Sequence, residues 1–233
     1  MYRILFFLIL VNGIIDNRFF QDPYTGLRER MVHDQIERRG VSHKETLRAM
    51  RTVPRHLYVP EQMQTYAYDD RPLAIGNSQT ISQPYIVAFM TASIEPDASF
   101  RVLEVGTGSG YQAAILSEIV SEVYTIEIIP ELSKKAQKRF SEQGYTNIFT
   151  RIGDGYGGWP EEAPFDAIVV TAAPPEVPQP LIDQLKEGGT LIIPVGPRYQ
   201  VQSLQLITKK NGKVKTQNLF PVRFVPFTRE EGP

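Results

Sequence analysis

A glycine-rich turn directly after a short apolar segment is the strongest signal in this sequence. The segment Arg101–Val105 has the pattern of a buried strand, glycines follow at positions 106, 108 and 110, and the apolar segment Tyr111–Val120 is typical of a helix. Glycines at such a turn permit positive φ angles and let a ligand lie against bare backbone. We therefore expect a strand–turn–helix unit that holds a ligand where the strand ends.

The spacing of these glycines favours one class of ligand. The pattern is G-x-G-x-G, whereas dinucleotide-binding proteins carry G-x-G-x-x-G to hold a pyrophosphate. S-adenosyl-L-methionine has no pyrophosphate and needs only close approach of its sugar and methionine arm to the backbone. Glu104, two residues before the first glycine, can accept hydrogen bonds from the amino group of that cofactor. The alternative is a plain strand–helix turn whose glycines serve packing.

Two further acidic residues stand at the ends of the next two predicted strands. Glu127 ends the strand that begins at Val123, and Asp154 lies between two glycines after the strand Asn147–Ile152. Ligands of open α/β sheets bind at the carboxyl ends of the strands. Glu127 can accept the ribose hydroxyls and Asp154 the exocyclic amine of adenine, although a solvated strand end and an Asp-Gly turn are the respective alternatives. Three acids on three successive strand ends predict a site for S-adenosyl-L-methionine.

Strand and helix patterns alternate from Arg101 onward, which is typical of a doubly wound α/β fold. Further strands are expected at Phe165–Ala172 and Thr190–Val195, with helices over Pro130–Gln143 and Pro180–Lys186, the latter closed by Gly188-Gly189. We predict a mostly parallel, Rossmann-like methyltransferase sheet. Asn211-Gly212 predicts an antiparallel hairpin near the C-terminus, and Val222–Phe227 is expected to add one more strand.

The first third of the chain is predicted to be mainly helical. The expected helices are Leu27–Arg39, ended by Gly40, a second helix N-capped by Ser42 and running through Met50, and a third from Gln83-Pro84 to Ser93. Tyr58–Asn77 has an irregular pattern. We assign residues 27–233 to one methyltransferase domain and residues 1–26 to an N-terminal extension.

The apolar segment 4–11 sits within that extension and leaves the cellular location open. It has the length of a signal-peptide core and is too short to span a bilayer, but no cleavage site follows it. We expect a cytoplasmic protein, with export or membrane tethering through this segment as the alternative.

Composition excludes several kinds of site. The chain has no cysteine, which rules out disulfides, thiolate metal sites and cysteine nucleophiles. Its three histidines could form a metal site only with help from carboxylates, and we expect no metal. The formal net charge is −1, so nothing in the overall charge favours nucleic acid as a partner. We expect a monomer.

The chain resembles the protein-L-isoaspartate O-methyltransferases over roughly residues 31–228. The stretch Gln79-Thr80-Ile81-Ser82-Gln83-Pro84 is the most specific to that family, whereas the glycine turn is common to methyltransferases at large. Supporting stretches are Gly153–Gly155, Phe165–Ile168, Ala172–Pro174, Leu181–Gly189 and Pro194–Gly196. One departure is Ser78, where the family usually has glycine.

The resemblance implies an activity and a set of site residues. The activity is methyl transfer from S-adenosyl-L-methionine to the free carboxyl group of L-isoaspartyl and D-aspartyl residues in damaged proteins, which initiates their repair. Ser82 is implied to be catalytic, and Val222–Phe227 to bind the substrate main chain. The implied cofactor-binding residues are Thr80, Glu104, Gly106, Thr107, Gly108, Glu127, Asp154, Gly155 and Thr228.

The residues by themselves, without the resemblance, also allow other interpretations of the site and the function. Without the resemblance, Ser82 has the position of an ordinary N-cap before Pro84. Another S-adenosyl-L-methionine-dependent protein or small-molecule O-methyltransferase would share the glycine turn. A NAD-binding or non-catalytic protein of Rossmann type is a more distant alternative, disfavoured by the glycine spacing.

Overall fold

A seven-stranded sheet forms the centre of the computed structural model, which describes residues 22–229. In chain order the strands are β1 (Leu73–Gly76), β2 (Gln79–Ile81), β3 (Arg101–Val105), β4 (Glu122–Glu127), β5 (Ile148–Ile152), β6 (Phe165–Val170), β7 (Leu185–Val195), β8 (Gln202–Lys210) and β9 (Lys213–Val222). The order in the large sheet is β5-β4-β3-β6-β7-β8-β9; the first five of these strands are parallel, and β8 and β9 are antiparallel to their neighbours. The predicted mostly parallel sheet with a C-terminal antiparallel hairpin is confirmed.

Helices cover this sheet and build an N-terminal layer. They are α1 (Thr25–Arg30), α2 (Lys44–Thr52), α3 (Pro84–Ser93), α4 (Tyr111–Ser117), α5 (Pro130–Glu142) and α6 (Gln179–Asp183). A π-helical turn, Met31–Ile36, and a 3₁₀ turn, Glu37–Arg39, continue α1 until Gly40, whose φ of 94° ends the helical segment. Among residues 22–229, no helix combines the length and the apolar character needed to cross a bilayer.

The sheet separates two apolar cores, as expected for a doubly wound fold. Successive side chains of β3 point to opposite faces: Val102 packs in one core, with α3, α4 and the N-terminal layer, and Leu103 packs in the other with β6 and β7. Both side chains are fully buried. Burial on both faces explains why β3 carries consecutive apolar residues, Val102 and Leu103.

Three predicted elements are corrected by the structure. Helix α2 begins at Lys44 and its N-cap is His43, not Ser42, because the imidazole Nδ1 of His43 accepts a hydrogen bond from the Thr46 N–H at 3.2 Å. Gly188-Gly189 lies inside β7 and does not close a helix. The pairing of β6 with β7 shifts register at this end of the sheet, and Gly188, at φ 84°, supplies the left-handed residue that such an irregularity requires.

The third correction concerns the segment Val222–Phe227, which is not a strand of its own. Val222 ends β9, and Pro226 forms only an isolated bridge with Ala173. The N–H of Ala173 donates to the Val225 oxygen at 2.9 Å, and the N–H of Phe227 donates to the Ala173 oxygen at 2.9 Å. Both bonds are made by the residues that flank Pro226, so the segment pairs with the loop that follows β6 at this one point and forms no ladder.

Candidate active site

The glycine turn after β3 forms the floor of one of two adjoining cavities of similar volume, called the main cavity because most predicted site residues line it. This cavity encloses about 780 Å³ of empty space, part of it continuous with solvent, and lies at the carboxyl ends of β3, β4 and β6. Nine of the ten predicted site residues line it: Thr80, Ser82, Glu104, Gly106, Thr107, Gly108, Glu127, Gly155 and Thr228. The structure therefore brings together residues from the N-terminal layer, three strand ends and the C-terminal segment.

Two of these glycines are required by close contacts. A Cβ on Gly106 would lie 2.4 Å from the Oγ1 of Thr171, and one on Gly155 would lie 2.4 Å from the Cγ1 of Val105. Gly106 also has a φ of 100°, which side-chain-bearing residues rarely adopt. The turn thus presents bare backbone to the cavity, as the sequence predicted.

Glu104 is fully buried at the end of β3. One carboxyl oxygen accepts from the hydroxyl of Thr125, which is itself 2.6 Å from the hydroxyl of Thr107, and the other oxygen has no partner among the described residues. Burial raises the pKa of Glu104 to about 8, and the nearby charge of Glu127 adds to the shift. A buried acceptor without a partner on the cavity wall fits a ligand that brings a hydrogen-bond donor, such as the amino group of S-adenosyl-L-methionine.

Glu127 ends β4 and is only 5% exposed. Its Oε2 accepts from the N–H of Gly108 at 2.7 Å, and its Oε1 accepts from the N–H of Ile129 at 2.9 Å. Burial raises its pKa, while these backbone hydrogen bonds oppose the shift. Because each carboxylate oxygen accepts more than one hydrogen bond, the fixed carboxylate can still receive two hydroxyls of a ribose.

Asp154 is the one predicted site residue that does not line the cavity. Its Oδ1 accepts from the N–H of Tyr156 at 2.9 Å, and its Oδ2 accepts from the Nε of Arg229 at 2.6 Å. The guanidinium of Arg229 lies 3.7 Å above the centre of the Tyr156 ring. The carboxylate therefore stabilises a turn and the C-terminal segment, and its predicted contact with adenine stays a prediction.

Ser82 lies where the main cavity meets a second one. Both cavities are lined by Ser82, and they also share Thr80, Thr171 and Val225. The N-cap of α3 is Gln83, with Pro84 at the first helical position, so the interpretation of Ser82 as a simple N-cap is wrong. No intramolecular hydrogen bond engages its hydroxyl within residues 22–229. A group that enters the second cavity would therefore approach a ligand bound in the main cavity next to the Ser82 hydroxyl.

Two residues that contribute to the site were not predicted from the sequence. Thr171, which follows β6, donates from Oγ1 to the Gly106 oxygen at 2.7 Å and lines both cavities; a polar residue at a fourth strand end was the available signal. Arg55, which no sequence motif singles out, donates to the Ser82 oxygen at 2.7 Å. Arginine side chains are normally exposed at the protein surface, so no local sequence pattern predicts that Arg55 is buried.

Comparison with known proteins agrees with this geometry. The family model "Protein-L-isoaspartate(D-aspartate) O-methyltransferase (PCMT)" matches residues 27–232. A protein-L-isoaspartate O-methyltransferase of Opitutus terrae is 54% identical over 224 residues, which is 96% of each chain. One of Gloeobacter violaceus is 55% identical over 201 residues, which cover 86% of this chain and 98% of that protein.

Solved structures of the same family are also similar to this chain. A protein-L-isoaspartate O-methyltransferase superposes with a TM-score of 0.78 at 30% identity, covering 85% of this chain and 65% of that one. A putative enzyme of the same name from Plasmodium falciparum, in complex with S-adenosyl-L-homocysteine, has a TM-score of 0.74 at 28% identity and covers 90% of this chain and all of that one.

Proposed function

The chain belongs to the protein-L-isoaspartate(D-aspartate) O-methyltransferase family, and from this premise we propose which of its residues carry the reaction. The enzyme transfers a methyl group from S-adenosyl-L-methionine to the free carboxyl group of isoaspartyl residues in damaged proteins. The observation that carries our assignment is the position of Ser82 at the junction of the two cavities.

The main cavity is assigned to the cofactor. When bound, S-adenosyl-L-methionine supplies an electrophilic methyl group on a sulfonium. The unpartnered oxygen of Glu104 accepts from its amino group, and Glu127 accepts from the ribose hydroxyls. Gly106 and Gly108 allow the backbone to approach. Thr80, Thr107, Gly155 and Thr228 complete the walls, and Asp154 is assigned to the adenine amine.

The second cavity is assigned to the isoaspartyl residue. A carboxyl group is already an anion at neutral pH, with a reference pKa of roughly 4, so the reaction needs no general base. None of the described histidines lines either cavity. The Ser82 hydroxyl donates a hydrogen bond that orients the attacking oxygen toward the main cavity. A neutral donor suits this role, because the acceptor loses its charge in the transition state and a stronger grip would oppose that loss.

The experiment is methyl transfer to an isoaspartyl peptide, with its normal aspartyl twin as the negative substrate. Ser82→Ala should lower kcat by roughly ten- to a hundredfold, since orientation is lost, while the Kd for S-adenosyl-L-homocysteine changes little. Ser93→Ala, a matched change in α3 away from both cavities, should keep wild-type kcat. A large loss of cofactor affinity in Ser82→Ala would refute the acceptor role of this residue.

Glu127→Ala is the complementary variant. It should weaken cofactor binding before it affects turnover at saturating cofactor, because its carboxylate also fixes the backbone of Gly108. If Glu127→Ala bound S-adenosyl-L-homocysteine with wild-type affinity, the proposal that Glu127 accepts from the ribose hydroxyls would be contradicted.

We also propose that residues 27–233 act as one domain, that the enzyme is monomeric and cytoplasmic, and that it uses neither metal nor nucleic acid. A family match that begins at residue 27 and a net charge of −1 support these proposals. A cytoplasmic location matches the supply of the cofactor, and residues 4–11, outside the described part, carry the alternative of export. Fractionation of cells, with methyltransferase activity as the readout, tests the location.

A further inference from the structure

Arg55 is a buried cation directly behind the proposed acceptor site. Its side chain is fully buried, its Nε donates to the Ala67 oxygen at 2.7 Å, and its Nη2 donates to the Ser82 oxygen at 2.7 Å. The guanidinium carbon lies 4.9 Å from the centre of the Tyr111 ring. Arg55 thus ties the loop that carries Ser82 to the N-terminal layer.

This cation has no ionic partner within residues 22–229. Its hydrogen bonds to Ala67 and Ser82 go to backbone oxygens, and its Nη1 is buried without a partner among the described residues. The groups that interact with its charge are the phenols of Tyr111 and Tyr68, and no carboxylate is among them. Burying a charge without a counterion is costly. Such a cost is expected where a charged ligand completes the site.

The distance to the acceptor site is short. The oxygen that accepts from Arg55 and the hydroxyl of Ser82 belong to one residue, so the guanidinium lies within roughly 8 Å of that hydroxyl. Arginine keeps its proton at neutral pH even when buried, and burial lowers its pKa only to about 10. A carboxylate that accepts from Ser82 would therefore be attracted by this positive charge across roughly 10 Å, more weakly than by a cation in direct contact.

We propose that Arg55 is a positioning residue that holds Ser82 in place and makes the acceptor cavity selective for an anionic carboxylate over its neutral derivatives. This inference rests on the proposed role of the second cavity. It has a consequence for turnover: methylation turns the anion into a neutral ester, which loses the attraction of Arg55. The product is thus bound more weakly than the substrate and leaves.

A peptide pair separates charge from shape. One peptide carries isoaspartate, and its twin carries the corresponding carboxamide, which has the same size without the charge. Both are titrated calorimetrically into the enzyme saturated with S-adenosyl-L-homocysteine. Wild-type enzyme should bind the acid at least tenfold more tightly than the amide, from the Coulomb attraction of charges roughly 10 Å apart in a partly buried site. Equal affinities for the two peptides would overturn the inference without the use of any variant.

Arg55→Met should reduce the preference for the acid by roughly tenfold while affinity for the amide stays within about threefold. Arg28→Met is the matched control. Like Arg55, Arg28 is a buried arginine of the N-terminal layer that lines neither cavity, but its charge is paired with Asp22 at 2.8 Å and none of its hydrogen bonds reaches Ser82. Its replacement should leave the preference unchanged.

The remaining outcomes are distinct. Equal loss of affinity for both peptides in Arg55→Met would show a purely structural role and overturn the inference, as would an unchanged preference. A failure of the proposed function gives a different result, namely that wild-type enzyme does not methylate the isoaspartyl peptide at all.

Discussion

Glu104 combines a titratable group with complete burial at the end of β3. Ionisation there leaves a charge with one hydroxyl donor, from Thr125, and a second oxygen without a partner. The proton is therefore retained well above the usual range, with a pKa of about 8. The cationic amino group of the cofactor would provide the missing donor and favour the ionised form.

The raised pKa makes stability depend on pH in a defined direction. Between its ordinary value of 4.5 and about 8, the folded protein holds a proton on Glu104 that the unfolded chain has lost. The free energy of unfolding of the ligand-free enzyme should therefore fall as pH rises through this window, by up to about 1.4 kcal/mol per pH unit. Glu104→Gln should flatten this slope, with a smaller residual slope from Glu127, whose pKa is also raised. Urea denaturation at pH 5, 6, 7 and 8 measures it; an equally steep slope in the variant would exclude Glu104 as its source.

Gly106 should tolerate no side chain. An added Cβ would lie 2.4 Å from the Thr171 Oγ1, at a φ of 100°, so Gly106→Ala combines a clash with backbone strain and should cost about 2–4 kcal/mol of unfolding free energy. Gly108→Ala is the control, because its φ of 52° is a left-handed conformation that alanine can adopt and its Cβ would lie 3.5 Å from Ile75. It should cost about 1–2 kcal/mol. Chemical denaturation compares them, and equal costs would contradict this reasoning.

The hairpin of β1 and β2 positions the loop that carries Ser82. Its two-residue turn consists of Asn77 and Ser78, with φ values of 50° and 56°, as in the type I′ turns of hairpins. Asparagine tolerates this conformation, whereas serine at the second position carries a steric cost. The glycine usual in the family would remove that cost.

Ser78→Gly should therefore raise the free energy of unfolding by about 0.5–1 kcal/mol, the relief of left-handed strain less the entropy of glycine. Ser78→Ala keeps the strained backbone and removes only the hydroxyl, so it should not stabilise. Urea denaturation of both variants tests this expectation. Stabilisation by alanine as well would assign the effect to the hydroxyl and not to the backbone.

The elements that sequence predicts well are those with strong local patterns. β3, β4 and β6 have apolar segments bounded by turn residues, and the Asn211-Gly212 turn joins β8 and β9 as expected. The β1–β2 hairpin was missed because β1 has four residues and its turn lacks a glycine at its second position. Long-range contacts leave no local pattern, so neither the bond from Arg55 to Ser82 nor the crossing of Ala173 by Pro226 was predictable.

The proposed reaction draws on two parts of the chain. The carboxyl ends of β3, β4 and β6 form the main cavity, which we assign to the cofactor, and the N-terminal layer contributes Ser82 together with Arg55. The C-terminal segment closes the space between them, since Val225 lines both cavities and Thr228 lines the first. Sequence motifs identify the proposed cofactor-binding residues because most of them lie in short segments at the ends of predicted strands. The acceptor side is assembled from distant segments, and only the family resemblance pointed to it.

One of the two edges of the sheet, formed by β9, bears on the proposed monomer. β9 is an edge strand, and its first six residues are exposed, among them Lys213 and Lys215. Lysines on an open edge oppose pairing with a second chain. We therefore expect light scattering to give the monomer mass of 26.4 kDa, and a stable dimer of the wild-type protein would contradict the proposal.

Replacing both edge lysines tests the mechanism of this protection. Lys213→Val with Lys215→Val makes β9 a longer apolar edge beside exposed Val214, so the apparent mass should rise with protein concentration as strands pair edge to edge. Lys134→Val with Lys138→Val removes the same two charges from the exposed face of α5 and offers no strand edge, so it should remain monomeric. Association of both double variants would attribute the effect to net charge, whereas association of the β9 variant alone assigns the monomeric state to its edge lysines.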